Sequence, residues 1–257
     1  MAVRKKTAAQ WPGPEIGYVL AQENESHREW LDKGIALFNT RVGRKIFVPA
    51  GSPAGAQVRF VHSESGESAI GYQGKEQQEV RFHANPAGDD GQGEYKTLFH
   101  EIGHCLGLGH EQFHSACPVR DFLVTVLKDS DNFREIRTRQ SLVSGHWEDL
   151  GPYDPTSVMM YALTSMMQEG RVEWSEEGDA PVLVQPEKTE TAGKTGKAGE
   201  PEKKTRERSG SATVKGSVAK PVELLPLRLR VPRSLFPVVT GLSDGDVAAI
   251  NKLVPDS

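Results

Sequence analysis

Cysteine is nearly absent from this chain of 257 residues, which contains only Cys105 and Cys117. They could form one bridge at most, so the fold does not rest on the dense disulfide framework that stabilises small secreted domains. Long apolar runs are missing as well. No stretch approaches the roughly 18 consecutive apolar residues of a membrane-crossing helix, so a helix-spanning protein is excluded. Nor is there a basic surplus: 31 Lys and Arg stand against 35 Asp and Glu, a formal charge of -4. That balance argues against a whole-chain polyanion binder, because nucleic-acid proteins ordinarily carry excess positive charge. A secretory leader is also not expected. The basic start Met1-Ala-Val-Arg-Lys-Lys-Thr7 is followed by Gln10, Pro12, Gly13, Pro14 and Glu15, where the apolar segment of a leader should lie.

The length suits one large domain, or two lobes sharing a cleft, at about 150 residues per domain. Charge is unevenly spread. Between Glu187 and Lys220 nine Lys or Arg face five Glu, and no aromatic, Leu, Ile or Met occurs. This stretch cannot repay the entropy of ordering and is read as a disordered basic insertion over 187–220. A polyanion-binding tether is the alternative reading of the same residues.

Glu15 to Leu20 reads as a first strand after a Trp-Pro-Gly-Pro turn. Ser26 and Glu29 have capping-box spacing, and Leu31, Ile35 and Phe38 share a helical face, which predicts a helix over 26–39. Lys45–Val48, Gln57–His62 and Glu79–His83 are short β-prone runs. From Tyr95 to Leu106 the apolar positions Leu98, Phe99, Ile102, Cys105 and Leu106 predict a helix ending at Gly107. Beyond it regular structure is expected to thin out until Ser243-Asp-Gly-Asp246, which again offers a cap for a last helix.

The chemistry concentrates in His100-Glu101-Ile-Gly-His104-Cys-Leu-Gly107-Leu-Gly-His110, a match to H-E-x-x-H-x-x-G-x-x-H at every fixed position. Chance would produce this on the order of once in ten thousand such chains, far below the risk of a bare H-E-x-x-H. On a helix His100 and His104 project from one face and can bind one Zn2+. Gly107 lets the backbone turn sharply so that His110 returns to the same ion. Three neutral ligands leave room for water, the mark of a catalytic zinc site, with Glu101 beside it. The other five histidines, His27, His62, His83, His114 and His146, lack ligand spacing. Downstream, Ser157-Val-Met159-Met160-Tyr161 holds methionines that alone would be ordinary core residues. Beside the extended zinc motif they read as a Met-turn.

With His110-Glu-Gln112 following the third histidine, the chain resembles the astacin family of metzincin zinc endopeptidases. Trp11-Pro, Ile16-Gly-Tyr18, Val58-Arg-Phe-Val61, Ala69-Ile-Gly-Tyr72 and Gln78-Glu-Val80 are similar to segments ahead of the family's zinc helix. Arg120-Asp121 and Leu242 to Leu253 are similar to its later landmarks. The resemblance implies an α+β metzincin-type fold as one catalytic domain over 1–257. An N-terminal lobe of about 8–110 would hold a twisted mixed sheet and two helices. An irregular C-terminal lobe of about 111–257 would end in a helix across the cleft. It implies His100, His104 and His110 as ligands of one zinc ion, Glu101 as general base, Tyr161 as oxyanion donor, Met159 as the Met-turn base, and protein or peptide substrates. Substrate pairing with an edge strand is implied too, and Glu79–Ala84 is the candidate. The family's buried N-terminal amine beside the Glu after the third histidine suggests Ala2, freed of Met1, as the partner of Glu111.

Where the chain departs from the family, its two customary disulfides are missing and His114 replaces an Arg. A reducing compartment suits the missing disulfides, while export without a leader fits equally, against a family habit of secretion. Two readings compete with an active peptidase: a catalytically silent, zinc-stabilised binding module, and a protein tethered to polyanions through the insertion. Nucleic acid is not an expected partner of the folded part, and the sequence leaves the oligomeric state open.

Overall fold

The buried positions Trp30, Leu31, Ile35, Phe38 and Val42 recur at helical spacing and form one face of α1, Glu25–Val42. The chain is seen in a computed structural model that describes residues 3–21, 24–83, 95–160, 171–176, 178, 180–184, 227–235, 239 and 241–256. The insertion over 187–220, Tyr161, Ala84 and Ala2 lie outside the described residues. Helix α1 begins slightly earlier than its capping signal suggested. Asn24 is the cap, accepting the His27 N–H, and the Ser26 hydroxyl is spent donating to Asn24 Oδ1 at 2.8 Å.

Helix α1 packs on a five-stranded sheet of β2 (Ile16–Leu20), β3 (Phe47–Pro49), β4 (Val58–His62), β5 (Glu67–Ser68) and β6 (Gln78–Phe82). Their order is β3-β2-β4-β6-β5. The first four in that order run parallel, and β5 is antiparallel to β6. Val58, Phe60, Val80 and Phe82 turn inward by strand alternation and meet α1 in one core, with Trp30 stacked on Phe82 at 5.5 Å between centroids. The expectation that Glu79–Ala84 is the free edge is corrected here. Glu67 and Ser68 pair with Arg81 and Val80, so β5 covers β6 and forms the edge. Two residues are too few to leave an alternation signal.

Helix α2 (Lys96–Leu106) belongs to the same core and carries the zinc motif. It is tied to the N-terminal segment by Trp11 Nε1–H donating to the Cys105 carbonyl at 2.8 Å, and to the chain ahead of β6 by Gly71 N–H donating to the His104 carbonyl at 2.9 Å. Both cysteines are free and buried. Burial raises the Cys117 thiol to about 11 and drives Cys105 higher still, so both are inert thiols.

The basic start of the chain is a strand. β1 (Val3–Lys5) lies between β7 (Leu108–Gly109) and β8 (Trp147–Asp149), antiparallel to both. Regular structure also does not thin out after the zinc helix. Helices α3 (Arg120–Val126) and α4 (Phe133–Val143) follow, then a sheet of β9 (Val172–Ser175), β10 (Val182–Val184) and β11 (Arg228–Pro232) in the order β10-β11-β9. Helix α3 and the three strands have seven residues or fewer, and α4 exposes Phe133 and Val143, two of its four apolar side chains, so the helical or strand period is hard to read along the chain. They close a second core around Val3, Leu123, Leu229 and Val231. The last helix, α5 (Asp244–Leu253), has the expected capping box of Ser243 and Asp246. Among the described residues no helix is long and apolar enough to cross a membrane.

At the ends of β4 and β6 His27 stacks on His62 at 4.0 Å and His83 stacks on His62 at 6.1 Å. Burial, and secondly the neighbouring His62, lowers the His27 pKa below its ordinary 6.5. A histidine harder to protonate when folded lets the unfolded chain bind more protons as pH falls. Stability is therefore lost as pH drops below about 6.5, down through the depressed His27 value. His27→Gln should flatten that acid limb in urea midpoints taken at successive pH values. An unchanged slope would show that His27 contributes nothing to it.

Candidate metal centre and active site

The zinc motif folds as a helix followed by a reversal, and each step has a local cause. His100 and His104, four positions apart on α2, share a face, with ring centroids 4.6 Å apart. The helix stops at Gly107, whose φ of 111° lies in the left-handed region and whose N–H returns to the Gly103 and His104 carbonyls. After the two residues of β7 the chain arrives at His110, and His104 Nε2 and His110 Nε2 stand 3.1 Å apart. One ligand atom from each of the three rings lies within 4.8 Å of the others.

The outward nitrogens are fixed. His100 Nδ1 donates to the Val158 carbonyl at 2.9 Å and His104 Nδ1 donates to the Leu108 carbonyl at 2.9 Å. With Nδ1–H committed to a carbonyl, the Nε2 lone pair is left for a metal. Burial lowers the His104 pKa to about 3 and also lowers that of His100, which keeps both rings in the neutral form that ligates. Three imidazoles at this spacing fit zinc.

Glu101 points into the same space. It is 6 % exposed, and its Oε2 is buried without a hydrogen-bond partner among the described residues. Burial, then the nearby Glu67, pushes its carboxyl up to about 8. The cleft measures about 380 Å³ and is lined beside the histidines by Gly66, Glu67, Ser68, Phe113, Arg137 and Thr138. Gly66 was not singled out by the sequence. An ideal Cβ built there lies 2.5 Å from Glu101 Oε1, so the backbone entering β5 abuts the carboxylate. No motif marks that glycine; only the fold brings it to Glu101.

Fully buried Met159 rests its sulfur against Gly103 of the zinc helix, where any Cβ would collide with it. His114, near the motif in sequence, is structural: Nε2 donates to the Gly151 carbonyl at 2.7 Å and Nδ1 accepts the Ala116 N–H at 3.0 Å. Glu111 is fully buried, accepts the Asp154 N–H at 2.7 Å through Oε1, and is raised to about 8 by burial.

Residues 3–182 match the model of the peptidase family described as Astacin. Among solved structures the chain is similar to high choriolytic enzyme 1, a hatching enzyme zinc-protease from Oryzias latipes (Medaka fish). The identity is 20%, with 64% of this chain and 78% of that chain covered and a TM-score of 0.45. It is also similar to myroilysin at 18% identity, with 64% and 85% covered and a TM-score of 0.45. No curated protein matches the sequence. Because the family model spans well over half of its length, the chain belongs to the astacin family of zinc metalloendopeptidases.

Proposed function

We propose that the chain hydrolyses internal peptide bonds as one catalytic domain over 1–257, with His100, His104 and His110 holding the zinc ion and Glu101 as general base. The observation that carries this is the convergence of three imidazoles, with Glu101 buried beside them and one carboxylate oxygen unsatisfied. Zinc bound there supplies a Lewis acid for the scissile carbonyl and brings the pKa of water toward about 7.

Glu101 takes the proton of the attacking water on its carboxylate and hands it to the departing amine. Burial keeps that carboxylate out of bulk water, so the proton stays between the reacting groups. Tyr161 directly follows Met160 and is assigned by the motif alone as the hydroxyl that donates to the developing oxyanion. Glu67 and Ser68 belong to the edge strand and line the cleft, which supports an extended substrate pairing with β5 by strand addition. The substrates are proteins or peptides.

The test is metal analysis together with cleavage of a complex peptide library read by mass spectrometry. The expected result is about one zinc per chain and internal cuts. In His104→Ala both should be lost. A protein that keeps its zinc yet makes no internal cut would instead be the silent binding module.

A further inference from the structure

The carboxylate of Asp246, in the first turn of α5, is fully buried. Its Oδ1 accepts the Ser157 hydroxyl at 2.5 Å, and its Oδ2 accepts the Val158 N–H at 2.8 Å and the Ser243 N–H at 3.0 Å. Ser157 Oγ in turn accepts the Met159 N–H at 3.0 Å. Two successive amides of the Met-turn are thus held from the side of the last helix. The carbonyls of the same two residues face the metal centre. The Val158 carbonyl accepts from His100 Nδ1 at 2.9 Å, and the Met159 carbonyl accepts the N–H of Glu111, next to His110, at 3.0 Å.

The Val158 carbonyl and the Met159 N–H belong to one peptide group, which is planar and rigid. Fixing the N–H through Ser157 and Asp246 therefore fixes the direction of the carbonyl that holds His100. We propose that Asp246 is a positioning residue for the metal centre, acting through Ser157 and the Val158–Met159 peptide on the ring of His100. This rests on His100 being a zinc ligand. Partners that orient a ligating histidine typically change metal affinity by about 10–100-fold when removed.

Asp246 also caps α5, and Ser243 separates the two roles: its hydroxyl accepts the Asp246 N–H at 2.9 Å and donates to Asp154 Oδ2 at 2.6 Å, ahead of the Met-turn, and contacts neither Val158 nor Met159. The experiment uses the full chain, with zinc affinity from competition with a chromophoric chelator and the visible spectrum of the cobalt(II)-substituted protein. Asp246→Ala is expected to weaken zinc binding by about 10–100-fold and to shift the cobalt bands. Asp246→Asn keeps an oxygen for the Val158 N–H and turns an amide N–H toward Ser157 Oγ, so the link to Ser157 survives and most of the affinity should be recovered. Ser243→Ala should lower the thermal midpoint and leave affinity and spectrum unchanged. Should Asp246→Ala not fold, Ser157→Ala carries the comparison, since it leaves Asp246 and the cap in place. Wild-type affinity and spectrum in the Asp246 and Ser157 variants would overturn the inference and reduce Asp246 to a helix cap. His100→Ala serves as the control: undiminished zinc binding there would overturn the ligand assignment itself.

Discussion

Glu101→Gln is expected to lower kcat by about 10²–10⁴-fold while zinc content and thermal midpoint stay near those of the parent. The amide nearly matches the carboxylate in volume, so the buried site neither gains a cavity nor overpacks. What disappears is the ability to accept a proton, since Gln offers an oxygen of negligible basicity. The buried, unpartnered Oε2 of Glu101 is the atom for which this loss matters. Because Glu101 is not among the three converging imidazoles, its removal leaves the metal-binding set intact. Steady-state cleavage of one peptide found in the library, run beside metal analysis, is the measurement. A variant that binds zinc and retains a tenth or more of the parent rate would remove Glu101 from the role of general base.

Gly66→Ala is the second large effect, expected at about 10²-fold in kcat, the scale of a misplacement near 1 Å at a reacting group. The added Cβ would stand 2.5 Å from Glu101 Oε1 and 3.0 Å from its Cδ and Cγ, so the side chain must swing aside. The carboxylate is the mobile end of a flexible chain, and for that reason the stability cost is small while the catalytic cost is large. The two outcomes separate cleanly: slow turnover with normal zinc affinity locates the effect at Glu101, whereas weakened zinc binding would mean that the ligands themselves moved. Normal turnover would show that the approach of β5 does not constrain the base.

Sequence and structure divide the account unevenly. The zinc helix was legible because local rules suffice for it: four-residue spacing puts His100 and His104 on one face, and Gly107 permits the left-handed turn. The capping box of α5 was legible for the same reason. Asn24 displaced Ser26 as the cap of α1 because neighbouring polar side chains compete for the same amides, and sequence spacing does not say which wins. Helix α3 is only seven residues long, and α4 leaves two of its four apolar side chains, Phe133 and Val143, exposed, so neither gave a period clear enough to read. Strand β1 lies in the basic start of the chain, where no strand was expected, yet Val3 is fully buried between two partners more than a hundred residues away.

The sequence by itself determined which three imidazoles converge, which carboxylate is buried near them, and the family to which the chain belongs. Tertiary structure alone decided which strand is the free edge of the sheet, that Gly66 abuts Glu101, and that a carboxylate in the last helix is linked through Ser157 to the peptide holding His100. Ligand spacing is written in a single helical turn and so survives in the sequence. Contacts between segments far apart in the chain depend on loop closure and packing of whole elements, for which no local pattern of residues is required.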